Sequence, residues 1–341
     1  MTANAAPGAR LEAKPRRNPL LQVRDLRVAV RGDLGAQDLV RGVSFDVMPG
    51  EILGVVGESG AGKSMIGTAI IGLLDPPLAM VGGSITYNGR RIDNLPRAAL
   101  RGLRGKEIAT IFQDPLTSLN PVFTIERQLV ETIEVHTSLR GPAAREEAVG
   151  LLARVGIPAP DKRLSSYPHE FSGGMRQRVV IALALAGRPR LIIADEPTTA
   201  LDVSVQGQII ELLRDLCAER KTAVMLITHD MGVIAALADR VVVAYAGRIV
   251  EDGPVAEVIR SPMHPYTRGL MNSIPTIGLR PRRLSQIPGM MPRPDLLPPG
   301  CSFAPRCPLA ISRCGNETPP DAGDVGHKAA CWLMTTDGAA T

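Results

Sequence analysis

Runs of apolar residues separated by polar turns divide the chain into short strands and helices. Residues 52–56 form a short apolar, β-branched run, and residues 65–74 are apolar over a helical length. The run at 191–194 has the unbroken apolar character of a buried parallel strand, and further short strands are predicted at 108–112 and 223–228. The alternation of such strands with helical segments predicts an α/β fold.

The segments around this core predict two additional layers. Residues 21–30 and 43–47 suit the strands of a small antiparallel β layer, and residues 84–89 suit a strand that ends in an Asn-Gly turn. Between about 122 and 186 the pattern contains no convincing strand. We therefore expect a helical insertion, or helical subdomain, in that region.

The loop at residues 57–64 lies between the strand at 52–56 and the helix at 65–74, and it matches the phosphate-binding pattern G-x-x-x-x-G-K-[ST]. Its glycines let backbone N–H groups surround phosphate oxygens, and the following helix directs its positive N-terminus at the same anion. Lys63 would reach the β- and γ-phosphates, and Ser64 would ligate Mg²⁺. The alternative is a chance glycine-rich turn. The residues of this candidate nucleotide site are Gly57, Glu58, Ser59, Gly60, Ala61, Gly62, Lys63 and Ser64.

Polar side chains follow three other predicted strands. Gln113 follows the run at 108–112, Asp195 and Glu196 end the strand that begins at Leu191, and His229 follows the run at 223–228. Ligands of phosphate-binding α/β domains sit at such strand ends. In a nucleotide site Asp195 would hold Mg²⁺ and Glu196 would polarise the attacking water, while His229 would sense the γ-phosphate. The alternative is a pair of acids at a surface turn and a structural histidine.

A second candidate anion site lies within the helical insertion. Ser172, Gly173 and Gly174 form a turn that opens a helix. Because Ser-Gly-Gly is an ordinary loop sequence, this segment is informative only through its position relative to the other motifs.

Length and composition indicate a folded protein without a membrane span. The chain has 341 residues, of which 45% are hydrophobic, so it can form one large domain and a smaller one. Its longest apolar runs, such as 181–186, are far shorter than the roughly 18 residues of a membrane span. Residues 1–19 lack the hydrophobic core of a signal peptide, and we expect a flexible N-terminal tail.

The formal charge of +5 is distributed unevenly. Between Arg260 and Arg313 there are eight arginines and a single acid, Asp295. Such a stretch could meet nucleic acid, anionic lipid or an anionic metal centre, or it could be a solvated basic face. An aromatic content of only 3% argues against binding of single-stranded nucleic acid, which usually requires exposed rings for stacking.

Four of the five cysteines are grouped near the C-terminus. The fifth, Cys217, is predicted to be a core residue on an amphipathic helix. No pair has the close C-x₂-C spacing of a zinc ribbon, and four cysteines also suit a [4Fe–4S] cluster. Iron–sulfur ligation, zinc ligation and unligated thiols all remain open on these grounds. The grouped residues are Cys301, Cys307, Cys314 and Cys331.

Together these motifs closely resemble the ATP-binding subunit of the ABC transporters, over residues 20–254. Gln113 occupies the Q-loop position, Ser172 to Gly174 the signature position, Ala200 to Asp202 the D-loop and His229 the switch position. The resemblance implies a P-loop NTPase core of the ABC type that hydrolyses ATP with Mg²⁺ held by Ser64, Gln113 and Asp195. It also implies that two such domains pair head to tail, so that Ser172 serves the partner's nucleotide.

A finer resemblance predicts how the chain is divided into domains. Residues 113–121 and 264–270 look like the oligopeptide/dipeptide importer branch, and the second stretch opens that branch's C-terminal extension. The expected division is a tail at 1–19, an ABC-type domain at 20–255 and the extension at 256–341. Lys63 and Glu196 then lie in a separate domain from the extension, so we expect ATP binding to survive substitution of Cys307 or Cys314.

The branch implies several partners and a location. They are two membrane-spanning permease subunits, a paralogous ATPase subunit or a second copy, and an extracytoplasmic solute-binding protein, with this chain peripheral on the cytoplasmic face of the membrane. Some members of the branch carry an iron–sulfur cluster in the extension. Peptides are the expected cargo, with nickel, glutathione or a related solute as the alternative.

The chain departs from the family pattern in two places, and it also lacks features of two other classes of protein. Met175 replaces a common Gln, and Val30-Arg31 stands where an adenine-stacking ring is expected. A soluble ABC ATPase acting on DNA or ribosomes usually has two cassettes or a long coiled coil, which this chain lacks, so no nucleic-acid partner is expected. Intact Glu196 and His229 disfavour a regulatory module without turnover.

Overall fold

The fold consists of two β-sheets and the helices packed on them, as seen in a computed structural model. The structure describes residues 18–32, 35–198, 202–273, 286–324 and 326–335. Most of the predicted N-terminal tail, residues 1–17, therefore lies outside the described residues.

The strands are β1 (Leu21–Gly32), β2 (Gly35–Val47), β3 (Ile52–Val56), β4 (Leu78–Tyr87), β5 (Arg90–Arg91), β6 (Ile108–Ile111), β7 (Leu191–Asp195), β8 (Ala223–Thr228), β9 (Arg240–Tyr245), β10 (Arg248–Pro254), β11 (Asp321–Gly323) and β12 (Lys328–Ala330).

The α-helices are α1 (Lys63–Ile70), α2 (Arg97–Leu103), α3 (Pro115–Ser118), α4 (Ile125–His136), α5 (Gly141–Arg154), α6 (Pro160–Arg163), α7 (Gly173–Ala186), α8 (Val203–Arg220), α9 (Met231–Leu237), α10 (Val255–Arg260), α11 (Pro265–Asn272) and α12 (Ser312–Asn316).

The larger sheet has the order β11-β12-β10-β9-β3-β8-β7-β6. Strands β9, β3, β8, β7 and β6 are parallel, whereas β10, β12 and β11 pair antiparallel. Helices cover the parallel part, so β8 is buried along its whole length, which explains its continuous apolar sequence. The predicted α/β core is confirmed.

The smaller sheet is antiparallel, with the order β2-β1-β4-β5, as predicted for the small β layer. Asn88 and Gly89 form the predicted turn between β4 and β5, with φ values of 48° and 77°. These positive angles are those of a type I′ hairpin turn, which Asn-Gly favours. Strand β4 begins at Leu78, earlier than the pattern indicated, because it pairs with β1 along most of its length.

The helical subdomain comprises α3 to α7, and residues 112–190, all described, contain no strand. Helices α4, α5 and α7 pack together through fully buried side chains such as Leu129, Ile133, Leu152 and Ile181. The Gly141-Pro142 break falls at the start of α5, where proline suits the first turn of a helix.

The C-terminal extension adds strands to the larger sheet. In it β12 pairs with β10, with Glu251 opposite Ala329. The buried Glu251 carboxylate bonds to His327 Nε2 at 2.8 Å and accepts the N–H groups of Met263 and His264 at 2.8 and 2.9 Å. The boundary expected at residue 255 therefore divides the chain within a continuous sheet.

Candidate nucleotide-binding site

The motifs predicted from strand ends meet at one edge of the larger sheet. Because β3, β8, β7 and β6 are parallel, their carboxyl ends lie side by side and present the segments that follow them to one groove. The groove has a volume of about 600 Å³. The predicted residues that line it are Gly57, Glu58, Ser59, Gly60, Gly62, Lys63, Ser64, Gln113, Glu196 and His229.

The loop at 57–64 is held in place by close backbone contacts. A Cβ on Gly57 would lie 2.2 Å from the carbonyl oxygen of Ala244, so only glycine fits against β9 at this position. Gly62 has φ +92° and precedes the first turn of α1. The loop is also attached to the β9–β10 turn, where the Gly247 N–H donates to the carbonyl of Ala61 at 3.0 Å.

Lys63 lies within the loop and is buried. Its Nζ donates to the carbonyl oxygens of Gly57 and Glu58 at 2.8 and 3.0 Å. Burial lowers the pKa of the ammonium group, and the carboxylates of Glu196, Asp195 and Glu58 partly offset that effect. The group is a fixed cation at the base of the groove, where the β- and γ-phosphates of a nucleotide would lie.

Ser64 lines the groove and contacts Asp195, which, like Ala61, is not itself among the lining residues. Ser64 Oγ donates to Asp195 Oδ1 at 3.0 Å. Burial raises the pKa of Asp195, and the nearby Glu196 charge adds to the shift, whereas the Ser64 hydrogen bond and Lys63 oppose it. The Ser64 hydroxyl, the Asp195 carboxylate and the amide of Gln113, which also lines the groove, supply the kind of oxygen donor that Mg²⁺ prefers.

Glu196 connects two of the other predicted residues. Its carboxylate accepts from Gln113 Nε2 at 3.1 Å and lies 3.1 Å from His229 Nδ1. The residue has φ +46°, a conformation uncommon for a side chain larger than glycine, and its N–H donates to Ile227 in β8. This backbone turn directs the carboxylate into the groove, where it could accept a proton from water.

The signature and D-loop residues are placed differently. Ser172 is the N-cap of α7, where its Oγ accepts from the Met175 N–H at 3.3 Å, and Ser172 and Gly173 are exposed rather than part of the groove. Asp202 begins α8, and its carbonyl accepts from residues in the first turn. Ala200 and Leu201 lie outside the described residues.

The region expected to carry an adenine-stacking ring has a regular strand instead. Val30 and Arg31 belong to β1, and the Arg31 N–H donates to the carbonyl of Pro77 at 3.0 Å. Among the described residues that line the groove, none is Phe, Tyr or Trp.

Sequence reasoning missed three residues of the extension that reach this site. Leu270 of α11 lines the groove, the Tyr266 hydroxyl accepts the Glu58 N–H at 2.9 Å, and Arg306 forms an ion pair with the Glu58 carboxylate. The extension therefore contacts the phosphate loop, whereas the survival of ATP binding after substitution of Cys307 or Cys314 stays a prediction. No local pattern could have revealed these pairs, because Arg306 lies 248 positions from Glu58 in the chain.

The four grouped cysteines line one small cavity beside α11. Burial raises the pKa of Cys301 to about 11 and also raises the pKa of Cys307 and Cys331. Among the described residues, no group of three or more His, Cys, Asp or Glu side chains is arranged to hold a metal ion.

In the part of the chain that the structure describes, no helix has the length and apolar character needed to cross a membrane.

A phosphate loop between the parallel strand β3 and helix α1, with acids at the end of β7 in the same sheet, defines a P-loop nucleoside triphosphatase. The family model described as ABC transporter matches residues 40–199, and the model described as oligopeptide/dipeptide transporter, C-terminal region, matches residues 250–314. The chain belongs to the ABC transporter family, in its oligopeptide/dipeptide branch, and is an ATPase. The resemblance identified from the motifs is confirmed.

Curated relatives align over nearly the whole chain. A probable peptide ABC transporter ATP-binding protein of Sinorhizobium fredii is 49% identical over 95% of this chain and 97% of that protein. The oligopeptide transport ATP-binding protein OppD of Salmonella typhimurium is 48% identical over 92% of this chain and 94% of its own length. The dipeptide transport ATP-binding protein DppD of Bacillus subtilis is 46% identical over 92% and 95%.

Solved structures share the fold. The dimeric ABC transporter cassette MJ0796 matches with a TM-score of 0.62 and 25% identity, covering 69% of this chain and 98% of that one. CbiO1 of Clostridium perfringens, part of the ABC transporter complex CbiONQ, matches with a TM-score of 0.62 and 26% identity, covering 72% and 92%.

Proposed function

We propose that this protein is the ATP-hydrolysing subunit that energises import of oligopeptides or dipeptides across the cytoplasmic membrane. The observation that carries the proposal is the presence of the nucleotide groove and the oligopeptide/dipeptide C-terminal region in one chain. The names of the relatives, which include OppD and DppD, support the cargo class.

Reconstitution tests the cargo. The chain, its membrane subunits and a solute-binding protein are placed in proteoliposomes, and uptake of labelled dipeptides, oligopeptides, nickel and glutathione is compared. We expect ATP-dependent uptake of peptide, abolished by Lys63→Ala. ATP-dependent uptake of nickel or glutathione without peptide uptake would contradict the proposed cargo.

Within the groove each predicted residue has a proposed role. Lys63 binds the β- and γ-phosphates, and Glu196 is the general base for the attacking water. His229 orients Glu196 and contacts the γ-phosphate, as their 3.1 Å separation allows. Ser64, Asp195 and Gln113 would hold Mg²⁺, which neutralises phosphate charge when bound.

The exposed signature turn supports a head-to-tail pair of ATPase subunits. Ser172 and Gly173 lie at the N-terminus of α7, outside the chain's own groove, with backbone N–H groups available to an anion. We place them over the nucleotide of a second ATPase subunit, either a paralogue or another copy, and Asp202 near the same interface. Support comes also from the solved structure of MJ0796, which shares this fold and is dimeric.

An exposed apolar surface beside Gln113 supports attachment to permease subunits at the membrane. Phe112, Leu116 and Val122 are 42%, 58% and 69% exposed, and they lie close together in the sequence around α3. Such side chains are typical of a protein contact surface. We assign this surface to the cytoplasmic side of the permeases, which makes the chain peripheral on that face of the membrane.

Copurification tests the surface. Leu116→Asp should reduce recovery of the membrane subunits with the tagged chain in detergent, because a charge would be buried in the contact. The matched control is Leu296→Asp, since Leu296 is an equally large apolar side chain that is 69% exposed but lies in the extension. Equal recovery of permeases with both variants would place the contact elsewhere.

We propose further that the four cysteines of the extension hold a [4Fe–4S] cluster. Support comes from the shared cavity and from the basic residues nearby, since Arg313 stacks 3.6 Å over the Trp332 ring that also lines the cavity. When bound, such a cluster would join the four chain segments that carry these cysteines.

Anaerobic purification tests the cluster. The protein should be brown and contain about four irons and four acid-labile sulfides per chain. Cys307→Ser should remove the colour, whereas Cys217→Ser, which alters a buried thiol of α8, should not. Stoichiometric zinc without iron would replace the cluster by a zinc site, and absence of both metals would leave buried thiols.

A further inference from the structure

The phosphate loop contains one acidic residue, Glu58, and its charge is unfavourable for binding a polyphosphate. Residues 57–64 otherwise contain only glycine, serine, alanine and lysine. The Glu58 side chain is 28% exposed and lines the groove. Its carboxylate acts electrostatically on Lys63, so it would act on a bound phosphate as well.

The guanidinium of Arg306 lies against this carboxylate. It donates to Glu58 Oε2 and Oε1 at 2.8 and 3.1 Å, in a bidentate ion pair. Its other N–H groups donate to the Pro288 and Gly289 carbonyls at 2.8 and 3.2 Å and to the Tyr245 hydroxyl at 3.3 Å. All five N–H donors of the guanidinium therefore have acceptors, and the side chain is only 6% exposed.

The backbone of Glu58 is fixed from two further directions. The hydroxyl of Tyr266 accepts its N–H at 2.9 Å, and Lys63 donates to its carbonyl at 3.0 Å. Tyr266 is fully buried in an aromatic group with Tyr245 and Phe303, with ring centroids 4.6 to 5.4 Å apart. The position of Glu58 therefore depends on side chains from the C-terminal extension.

We propose that Arg306 is a positioning residue of the nucleotide site, which neutralises Glu58 and holds the phosphate loop in the form that accepts a triphosphate. The extension is then a structural part of the ATP site. A short helical turn fixes Arg306 relative to the buried Phe303 ring. The turn spans Ala304–Arg306, and the Arg306 N–H donates to the Phe303 carbonyl at 2.9 Å.

Binding of MgATP to the full-length chain tests the proposal by calorimetric titration. Arg306→Ala should weaken binding about tenfold, the size expected for loss of one charge-assisted hydrogen bond beside the loop. Glu58→Gln should bind within about twofold of wild type, since it removes the repulsive charge together with the need for Arg306. Arg293→Ala, which removes the same charge from the exposed surface of the extension, should bind like wild type.

The double variant separates positioning through Glu58 from a general structural effect. If Arg306 acts by neutralising Glu58, Glu58→Gln/Arg306→Ala should recover to within about twofold of Glu58→Gln. Tenfold weaker binding that persists in the folded double variant would overturn the proposal, as would wild-type binding by Arg306→Ala.

A second substitution decides the question if the alanine variant does not fold. Arg306→Lys keeps the charge but replaces the planar fork by a single ammonium group, so binding should weaken about threefold, and the loss should disappear in the Glu58→Gln background. If folded Arg306→Lys bound MgATP with wild-type affinity and with the wild-type dependence of that affinity on salt, Arg306 would have no bidentate positioning role.

Discussion

Replacing Glu196 by glutamine isolates the proton-accepting role proposed for this carboxylate. Glutamine keeps the length and shape of the side chain and can still accept the hydrogen bond from Gln113 Nε2. The backbone turn at φ +46° and its bond to Ile227 do not depend on the side-chain charge. The substitution therefore removes one charge and one proton acceptor while the groove keeps its form.

The expected loss of turnover follows from the general-base contribution, which is typically about 10²- to 10⁴-fold. This range corresponds to about 3–5 kcal/mol of activation free energy. ATP binding should be at least as tight as in wild type, because one of the carboxylates beside Lys63 no longer opposes the phosphates. An ATP-bound closed dimer should accumulate as a result.

Phosphate release by the assembled transporter measures turnover, and titration with MgATP measures affinity. Glu211→Gln is the matched control, because Glu211 is an exposed acid on α8 and should leave both quantities unchanged. Normal turnover by Glu196→Gln would show that Glu196 is a structural acid and that another base activates water.

Three further substitutions test other parts of the structure. Lys63→Ala should abolish ATP hydrolysis and weaken nucleotide binding in a titration, since it removes the buried cation of the groove; unchanged turnover would refute the assignment. Ser172→Arg should impair hydrolysis at the partner's phosphate loop while this chain's own groove still binds ATP, as measured by nucleotide crosslinking to each subunit; loss at its own groove alone would contradict the head-to-tail arrangement. Arg240→Ala should lower the free energy of unfolding in urea by about 3 kcal/mol, because it removes the counter-charge of the poorly exposed carboxylates of Glu51 and Asp252. The exposed pairs of Arg145 make Arg145→Ala its control, with a loss of less than about 1 kcal/mol, and equal losses would show that burial does not strengthen the Arg240 pairs.

The sequence by itself determined the parallel core and the residues of the phosphate groove. Both depend on local chemistry: an apolar run such as 52–56 forms a buried strand, and the glycines after it allow the loop that only small residues permit. Since parallel strands end at one edge of the sheet, the location of Gln113, Glu196 and Lys63 just after predicted strands was enough to predict that they come together.

Only the tertiary structure decided how the C-terminal extension relates to that groove. The pairing of β12 with β10 and the bidentate contact between Arg306 and Glu58 join residues more than 70 and 240 positions apart, and neither segment carries a local pattern that selects its partner. In the sequence Arg306 is one of eight arginines in a basic stretch, and Glu58 is a variable position of a loop motif. Their contact arises because the aromatic packing of Tyr266 and Phe303 folds the extension against the loop, and such packing depends on three-dimensional shape.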